Sequence, residues 1–339
     1  MLFIMEQKNK GLSCLMNIGN TCYINASLQC LLHTKQLNNF FDTDFKKHNR
    51  NTNEFILTKE YDDLRKLLWR KNCTICPNRF INIIQKVALA KNREEFSQHN
   101  QCCASDFTQF LIESMHSSIQ REVNININGT INNDQDTIAV KCFESQKMFY
   151  QKEYSELIPI FSAIQVTSII DVYDANEKPN YVCEPFMSII LPIPRKVKSE
   201  TITLNDCFKE YTKDENVSLG SKEKIKKIMF WSLPDVLIIT LSRFHNDANR
   251  KITNVIDCNL DNIDLSEFVI GYNKEGYIYN IYATCEHSGN QQGGHYTANV
   301  KINNLWYNIN DNIINQINDN KVINSKTYVI FLEKKGVGI

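Results

Sequence analysis

The stretch NIGNTCYINASLQCLL, Asn17 to Leu32, puts a cysteine directly after Gly-Asn-Thr and at the head of a helix-compatible run. Ile24, Leu28, Leu31 and Leu32 fall at i, i+4, i+7 and i+8, the stripe of an amphipathic helix. Asn20 and Thr21 are good N-cap residues. Cys22 then sits in the first turn, where unpaired backbone N–H groups and the helix dipole favour an anion. A thiol there is biased toward thiolate, its nucleophilic form. Free cysteine is also among the residues most often buried for packing alone, so a nucleophile requires a base elsewhere in the chain.

The stretch HSGNQQGGHYTANVKINNLWYNINDN, residues 287–312, offers one. Gly293 and Gly294 precede His295 at the start of a strand pattern, and paired glycines let something extended pass close beside that histidine. HYTANVK and LWYNIN follow, joined by Ile302-Asn303-Asn304 as a tight connection. That hairpin carries Asn310 or Asp311 back toward His295. A Cys–His pair needs a third group to accept the imidazole Nδ1–H and fix its tautomer, which Asn does as a neutral acceptor and Asp with charge. In the order Cys, His, Asn or Asp, the chain reads as a thiol hydrolase.

The elements that must position these groups are of two kinds. Residues 12–120 read as mostly helical, with helices over 22–33, 54–71, 79–91 and 105–119. NININGTINNDQD (124–136) is Asn-rich and weakly hydrophobic, a flexible loop or insertion. From about 139 onward the pattern turns strand-like, in MSIILPIP (187–194), DVLIITLSRF (235–244), YIYNIYATCEH (277–287), HYTANVK (295–301), LWYNIN (305–310) and TYVIFLEK (327–334). Helices first and an antiparallel β half later predict an α+β arrangement of two packed lobes with a cleft between them.

Composition removes several alternatives. The 339 residues suffice for a large core, and 38 basic residues balance 38 acidic ones, so no global field attracts nucleic acid or anionic membrane. No apolar run approaches the ~20 residues that span a bilayer, and MLFIMEQKNK reverses the order of a signal peptide. Twelve cysteines at irregular spacing are too sparse for a disulfide framework. Asn25-Ala-Ser is a glycosylation acceptor in a secreted protein, and a glycan there buries Cys22. Both points predict an intracellular, reducing setting.

GLSCLMNIGNTCYINASLQCLL resembles the Cys box of the ubiquitin-specific proteases, and YATCEHSGNQQGGHYTANV…LWYNINDN resembles their His box. The likeness extends through QCCASDFTQFL (101–111), CEPFMSIILPIP (183–194), LPDVLIITLSRF (233–244) and TYVIFL (327–332), so it covers most of 11–333 in family order. It implies a papain-like cysteine protease fold, α+β, with a helical thumb (about 11–138), fingers (about 155–232) and a β-rich palm (about 139–154 and 233–333). It also implies cleavage after the C-terminal glycine of ubiquitin, with ubiquitin or ubiquitinated proteins as partners, a monomer and no cofactor. A catalytically weak ubiquitin-binding module and a protease for a ubiquitin-like modifier are the alternatives.

Residue by residue, the resemblance implies Cys22 as nucleophile, His295 as general base and Asn310 as third triad member. Asp311 matches a neighbouring acidic position that assists, and Asn17 the oxyanion-hole amide, an interaction of roughly 2.7–4 kcal/mol in comparable sites. Ubiquitin ends in an extended Arg-Gly-Gly tail, so Gly293, Gly294, Tyr296 and His287 are candidate walls of a narrow channel. Asp106 matches an acidic position near the tail's arginine.

Three departures stand out. Where the family usually carries an Asp three residues before Asp106, this chain has Cys103, which predicts weaker or altered tail binding. The two CxxC pairs that hold a zinc in many members should fall near 168–174 and 217–222, where SIIDVYD and VSLGSK have no cysteine, so no usual structural zinc site is expected. A lone CxxC at Cys73–Cys76, before Pro77, reads as structural rather than metal-binding. Cys183, Cys207, Cys258 and Cys285 read as core residues, as do Phe230, Trp231, Phe244, Trp306 and Tyr307. KEKIKK (222–227) reads as a solvated finger-tip face.

Overall fold

The alternating and β-branched runs of the second half build the centre of the molecule, and the helices of the first half cover one side of it. The structure is a computed structural model that describes residues 10–48, 50–171, 178–195, 201–219, 222–244 and 250–336. Its helices are α1 (Cys22–Leu32), α2 (Lys35–Thr43), α3 (Asn53–Arg70), α4 (Asn78–Ala90), α5 (Ala104–Ile119), α6 (Asp134–Tyr150), the short α7 (Ile158–Phe161) and α8 (Leu204–Thr212). Its longer strands are β1 (Ala163–Asp171), β2 (Asn180–Phe186), β3 (Ser188–Pro192), β4 (Glu215–Leu219), β5 (Lys222–Phe230), β6 (Val236–Ser242), β7 (Ile278–Asn290), β8 (Gly293–Ile302), β9 (Leu305–Asn310), β10 (Ile313–Ile317) and β11 (Thr327–Lys334).

The larger sheet runs β10-β9-β8-β7-β11-β6-β3, with the two-residue strand Ile263–Asp264 pairing β7 beside this path. All neighbours along the path are antiparallel except β3 on β6, which is parallel, a departure from the wholly antiparallel half expected. Strand β6, held between β11 and β3, is buried on both faces. Val236 and Ile238 point into the core shared with the helices, while Leu237, Ile239 and Leu241 point into a second core on the opposite face. Such a strand reads as a continuous apolar run. A smaller sheet, β2-β1-β5-β4, packs on α6 through Ile164, Val166, Cys142 and Trp231.

Two sequence expectations need correction. The stretch from Asp134 to Tyr150 is helix, so the loop before it ends at Asn133 and the strand-like half does not begin at 139. Asn133 caps it, accepting from the Asp136 N–H at 2.9 Å. The apolar positions that it buries, Ile138, Ala139 and Cys142, form too narrow a stripe to be read among its charged neighbours. Strand β3, within the span expected for fingers, belongs to the larger sheet. KEKIKK begins β5, an inner strand of the smaller sheet in which Lys222 pairs with Leu219, and it sets Lys226 beside Glu215 and Lys227 beside Asp214.

Helix α1 is not amphipathic in the usual sense, because all eleven of its residues are buried. Its polar side chains reach backbone instead of water. Ser27 Oγ donates to the Ala104 carbonyl at 3.0 Å and Gln29 Nε2 to that of Ser13 at 2.9 Å. A buried polar group left unpaired costs about 1–3 kcal/mol, so these bonds fix where the helix lies. Asn25 is only 2% exposed and is no glycan acceptor in this fold.

Candidate active site

Cys22 is the first residue of α1 and is buried where that helix packs against β8. The expected cap takes another form. Thr21 occupies the N-cap position, but its hydroxyl accepts from the Ile18 N–H at 3.1 Å and lies 3.2 Å from Asn17 Oδ1 instead of capping the helix. Asn20 turns the chain with φ +52°. Burial pushes the Cys22 thiol up, against backbone hydrogen bonds at Tyr296, Tyr23 and Cys22 that hold it down. The helix terminus therefore acts as the sequence suggests, but desolvation outweighs it, and the thiolate bias read from sequence is reversed.

The His box folds as a hairpin. In β7 and β8, Ser288 pairs with His295 and Gly289 with Gly294. Ile302 pairs with Leu305 in β9 across a two-residue turn, in which Asn303 and Asn304 both take positive φ, +51° and +63°. That turn brings the end of β9 back beside the start of β8. His295 Nε2 lies 2.6 Å from Asn310 Oδ1. The contact is on Nε2, not on Nδ1 as the sequence reading had it, and so Nδ1 is the nitrogen left to exchange a proton with a thiol. Because an amide oxygen only accepts, Nε2 carries the hydrogen in this pair.

Asp311 goes elsewhere. With φ +49° it turns out of the strand, and its carboxylate accepts from Asn17 Nδ2 at 3.0 Å and from Asn25 Nδ2 at 2.8 Å. The Leu15 N–H donates to its carbonyl at 3.2 Å. Asn17 Oδ1 in turn accepts from the Gly19 and Thr21 N–H groups at 3.1 and 3.2 Å. The amide of Asn17 is thus oriented from both ends, with one N–H hydrogen beyond that given to Asp311.

A pocket of about 330 Å³ opens at Cys22, lined among others by Gln101, Cys103, Phe244, His287, Gly294, Tyr296 and Tyr328. Four of the expected wall residues are here, Gly293 among them. A Cβ on Gly294 would come within 2.3 Å of His287 Nε2 and 2.4 Å of the Ser288 carbonyl, so close approach itself demands glycine. Gln101 went unread in the sequence. Its Oε1 accepts from the Gly294 N–H at 2.9 Å and pins the hairpin to the segment before α5. Tyr328 also went unread, its hydroxyl 3.2 Å from Cys103 Sγ. Such partners, far apart in sequence, carry no local signal.

Asp106 is exposed in the first turn of α5 and does not line the pocket. Cys207 and Cys285 are core residues, but Cys183 and Cys258 are only part-buried. Cys73 and Cys76 are exposed and flank Thr74–Ile75, which pairs with Cys14–Leu15 just ahead of the Asn17 loop. Phe230, Trp231 and Trp306 are buried, while Phe244 and Tyr307 are part-buried against the core.

Comparison with known proteins adds the family context. The family model for ubiquitin carboxyl-terminal hydrolase matches residues 13–332. Ubiquitin carboxyl-terminal hydrolase 2 of Bos taurus is 28% identical over 345 residues, covering 96% of this chain and 55% of that protein. The chain thus spans about half the length of the curated relatives it matches first. The solved SAGA DUB module of Ubp8, Sgf11, Sus1 and Sgf73 bound to monoubiquitin superposes with TM-score 0.73 at 20% identity, over 98% of this chain and 71% of that one. The same module bound to ubiquitin aldehyde gives 0.72 at 21% identity, covering 98% and 71%. At that identity the likeness is one of fold, a mixed helix-and-sheet papain-like architecture.

Proposed function

This chain belongs to the ubiquitin carboxyl-terminal hydrolase family, and on that premise we propose that it is a thiol-dependent deubiquitinase cleaving after the C-terminal glycine of ubiquitin. The observation that carries the reading is the 2.6 Å bond between His295 Nε2 and Asn310 Oδ1, with the Cys22 thiol hydrogen-bonded at the backbone of Tyr296 next door. In the reaction, His295 Nδ1 takes the thiol proton as Cys22 attacks the scissile carbonyl. The same proton then passes to the leaving amine, and water, activated by His295, hydrolyses the thioester.

Asn310 is the orienting member of the triad. Asp311 acts through Asn17, whose remaining N–H donates to the developing oxyanion. Gly293, Gly294, Tyr296 and His287 line the channel for the Gly-Gly tail, while Asp106, outside the pocket, meets the arginine that precedes it. The substrate is ubiquitin or a ubiquitinated protein, and the enzyme works as an intracellular monomer without a cofactor. Among the described residues no helix is long and apolar enough to cross a membrane. Helices up to α5 serve as thumb, the smaller sheet as fingers and the larger sheet as palm.

The test is intact-mass analysis after incubation with ubiquitin bearing a C-terminal electrophile, alongside Cys22→Ala. A gain of one ubiquitin, lost in the variant, is the expected result. Binding of free ubiquitin without an adduct would establish a binding module instead. Neither adduct nor binding, with reaction toward a ubiquitin-like modifier carrying the same electrophile, would move the substrate.

A further inference from the structure

Lys251 lies just outside the residues so far assigned a role. Its Nζ donates to His287 Nδ1 at 3.1 Å and also to the His287 main-chain carbonyl, and it sits 5.9 Å from the centre of the Phe244 ring. An ammonium has donors and no acceptor. Nδ1 of His287 must therefore be the unprotonated nitrogen. Burial, and then the Lys251 charge, hold His287 down to about 4, so the ring is neutral near pH 7. A neutral imidazole with a bare Nδ1 carries its one hydrogen on Nε2.

His287 is buried and lines the pocket beside Gly294. His287 Nε2 is the atom that a Cβ on Gly294 would strike, and among the described residues it has no hydrogen-bond partner. The ring around it is fixed by Tyr296 at 4.7 Å and by Phe244 at 5.6 Å between centroids. An extended chain threaded past Gly293 and Gly294 presents backbone carbonyls at this depth, and carbonyls need donors.

We propose that Lys251 is a positioning residue that locks His287 in its Nε2–H tautomer, so that Nε2 donates to a backbone carbonyl of the diglycine tail. The assignment rests on the deubiquitinase reading for the identity of the tail, but not for the tautomer. Without the ammonium, nothing among the described residues prevents the ring from carrying its hydrogen on Nδ1, where Nε2 would turn an acceptor toward an acceptor. The tail would then bind more weakly, while the chemistry at Cys22 would be affected less.

The experiment pairs side-chain ¹⁵N NMR of His287 with steady-state cleavage of a fluorogenic ubiquitin C-terminal amide, in wild type, Lys251→Met and Lys251→Arg. The wild type is expected to show Nε2–H. Lys251→Met should lose that preference and raise KM about tenfold, the worth of one hydrogen bond, with kcat changed less than threefold. Lys251→Arg, again donor-only, should restore both. Wild-type His287 with hydrogen on Nδ1 overturns the proposal, even if Lys251→Met fails to fold. So does a folded Lys251→Met with unchanged tautomer and KM. A wild type that shows Nε2–H yet cleaves no ubiquitin refutes the deubiquitinase reading and the tail contact with it, leaving the lysine's hold on the tautomer standing.

Discussion

At the scale of single residues, the adjacent pair Asn310 and Asp311 divides two tasks. Asn310 touches His295, whereas Asp311 touches Asn17 and Asn25. Replacing Asn310 with Ala frees the imidazole and is expected to lower kcat by about 10²-fold or more, as loss of an orienting group does in related triads. Asp311→Ala leaves the base intact but releases the Asn17 amide, and about 10-fold is expected, a fraction of a full oxyanion donor's 10²–10³. Single-turnover kinetics on both variants check this, and equal losses would contradict the division. Cys22 gives a second residue-level prediction. Burial raises its thiol above the ordinary range, so the neutral form dominates at pH 7 and thiolate appears as pH rises. The rate of iodoacetamide alkylation at Cys22, followed by mass spectrometry, should climb steadily from pH 7 through 9. A flat profile would mean that a preformed thiolate–imidazolium pair already exists.

At the scale of elements, the β7–β8 hairpin carries both the proposed base and the proposed channel walls. Gly294→Ala adds a methyl that meets His287 Nε2 and the Ser288 carbonyl, both under 2.5 Å. Backbone cannot yield as a flexible side chain does, so overpacking of about 1–3 kcal/mol is expected, with a lowered Tm and kcat/KM down by about 10²-fold. Thermal melts and kinetics on one preparation test both. This hairpin was legible in sequence because its signals are local. Gly-Gly marks the close approach, alternation marks the strands, and two consecutive Asn mark a turn with positive φ. Helix α1 was legible in extent but not in environment, since Asn25, Ser27 and Gln29 look like a wet face and instead bind buried backbone. Helix α6 was hidden by its charged sequence. Gln101, Lys251 and Tyr328 had no pattern to find, because their partners lie across the chain.

At the scale of the whole molecule, three apolar cores divide the load. One joins the helices to the larger sheet, one fills that sheet's other face, and a small one lies between α6 and the smaller sheet. The last relies on packing and on contacts such as Ser145 Oγ donating to the Cys183 carbonyl at 2.7 Å. Among the described residues no group of three or more His, Cys, Asp or Glu side chains is placed to hold a metal. Incubation with a strong zinc chelator is accordingly expected to leave both Tm and activity unchanged, as read by calorimetry and turnover of the ubiquitin amide. A drop of several degrees would point to a metal that the smaller sheet needs.

The strand order also bears on biosynthesis. The last long strand, β11, lies between β7 and β6, and the Asp311 carboxylate draws together Asn17 and Asn25 from the opposite end of the chain. A ribosome therefore delivers the nucleophile long before the base, and the strand that closes the sheet later still. Contacts of such long range form late in folding. During translation the emerging chain carries Cys22 before His295, Asp311 and the Gly293-Gly294 pair exist. Incomplete chains are consequently expected to be inert, with the proposed hydrolytic competence arriving only on completion of the sheet.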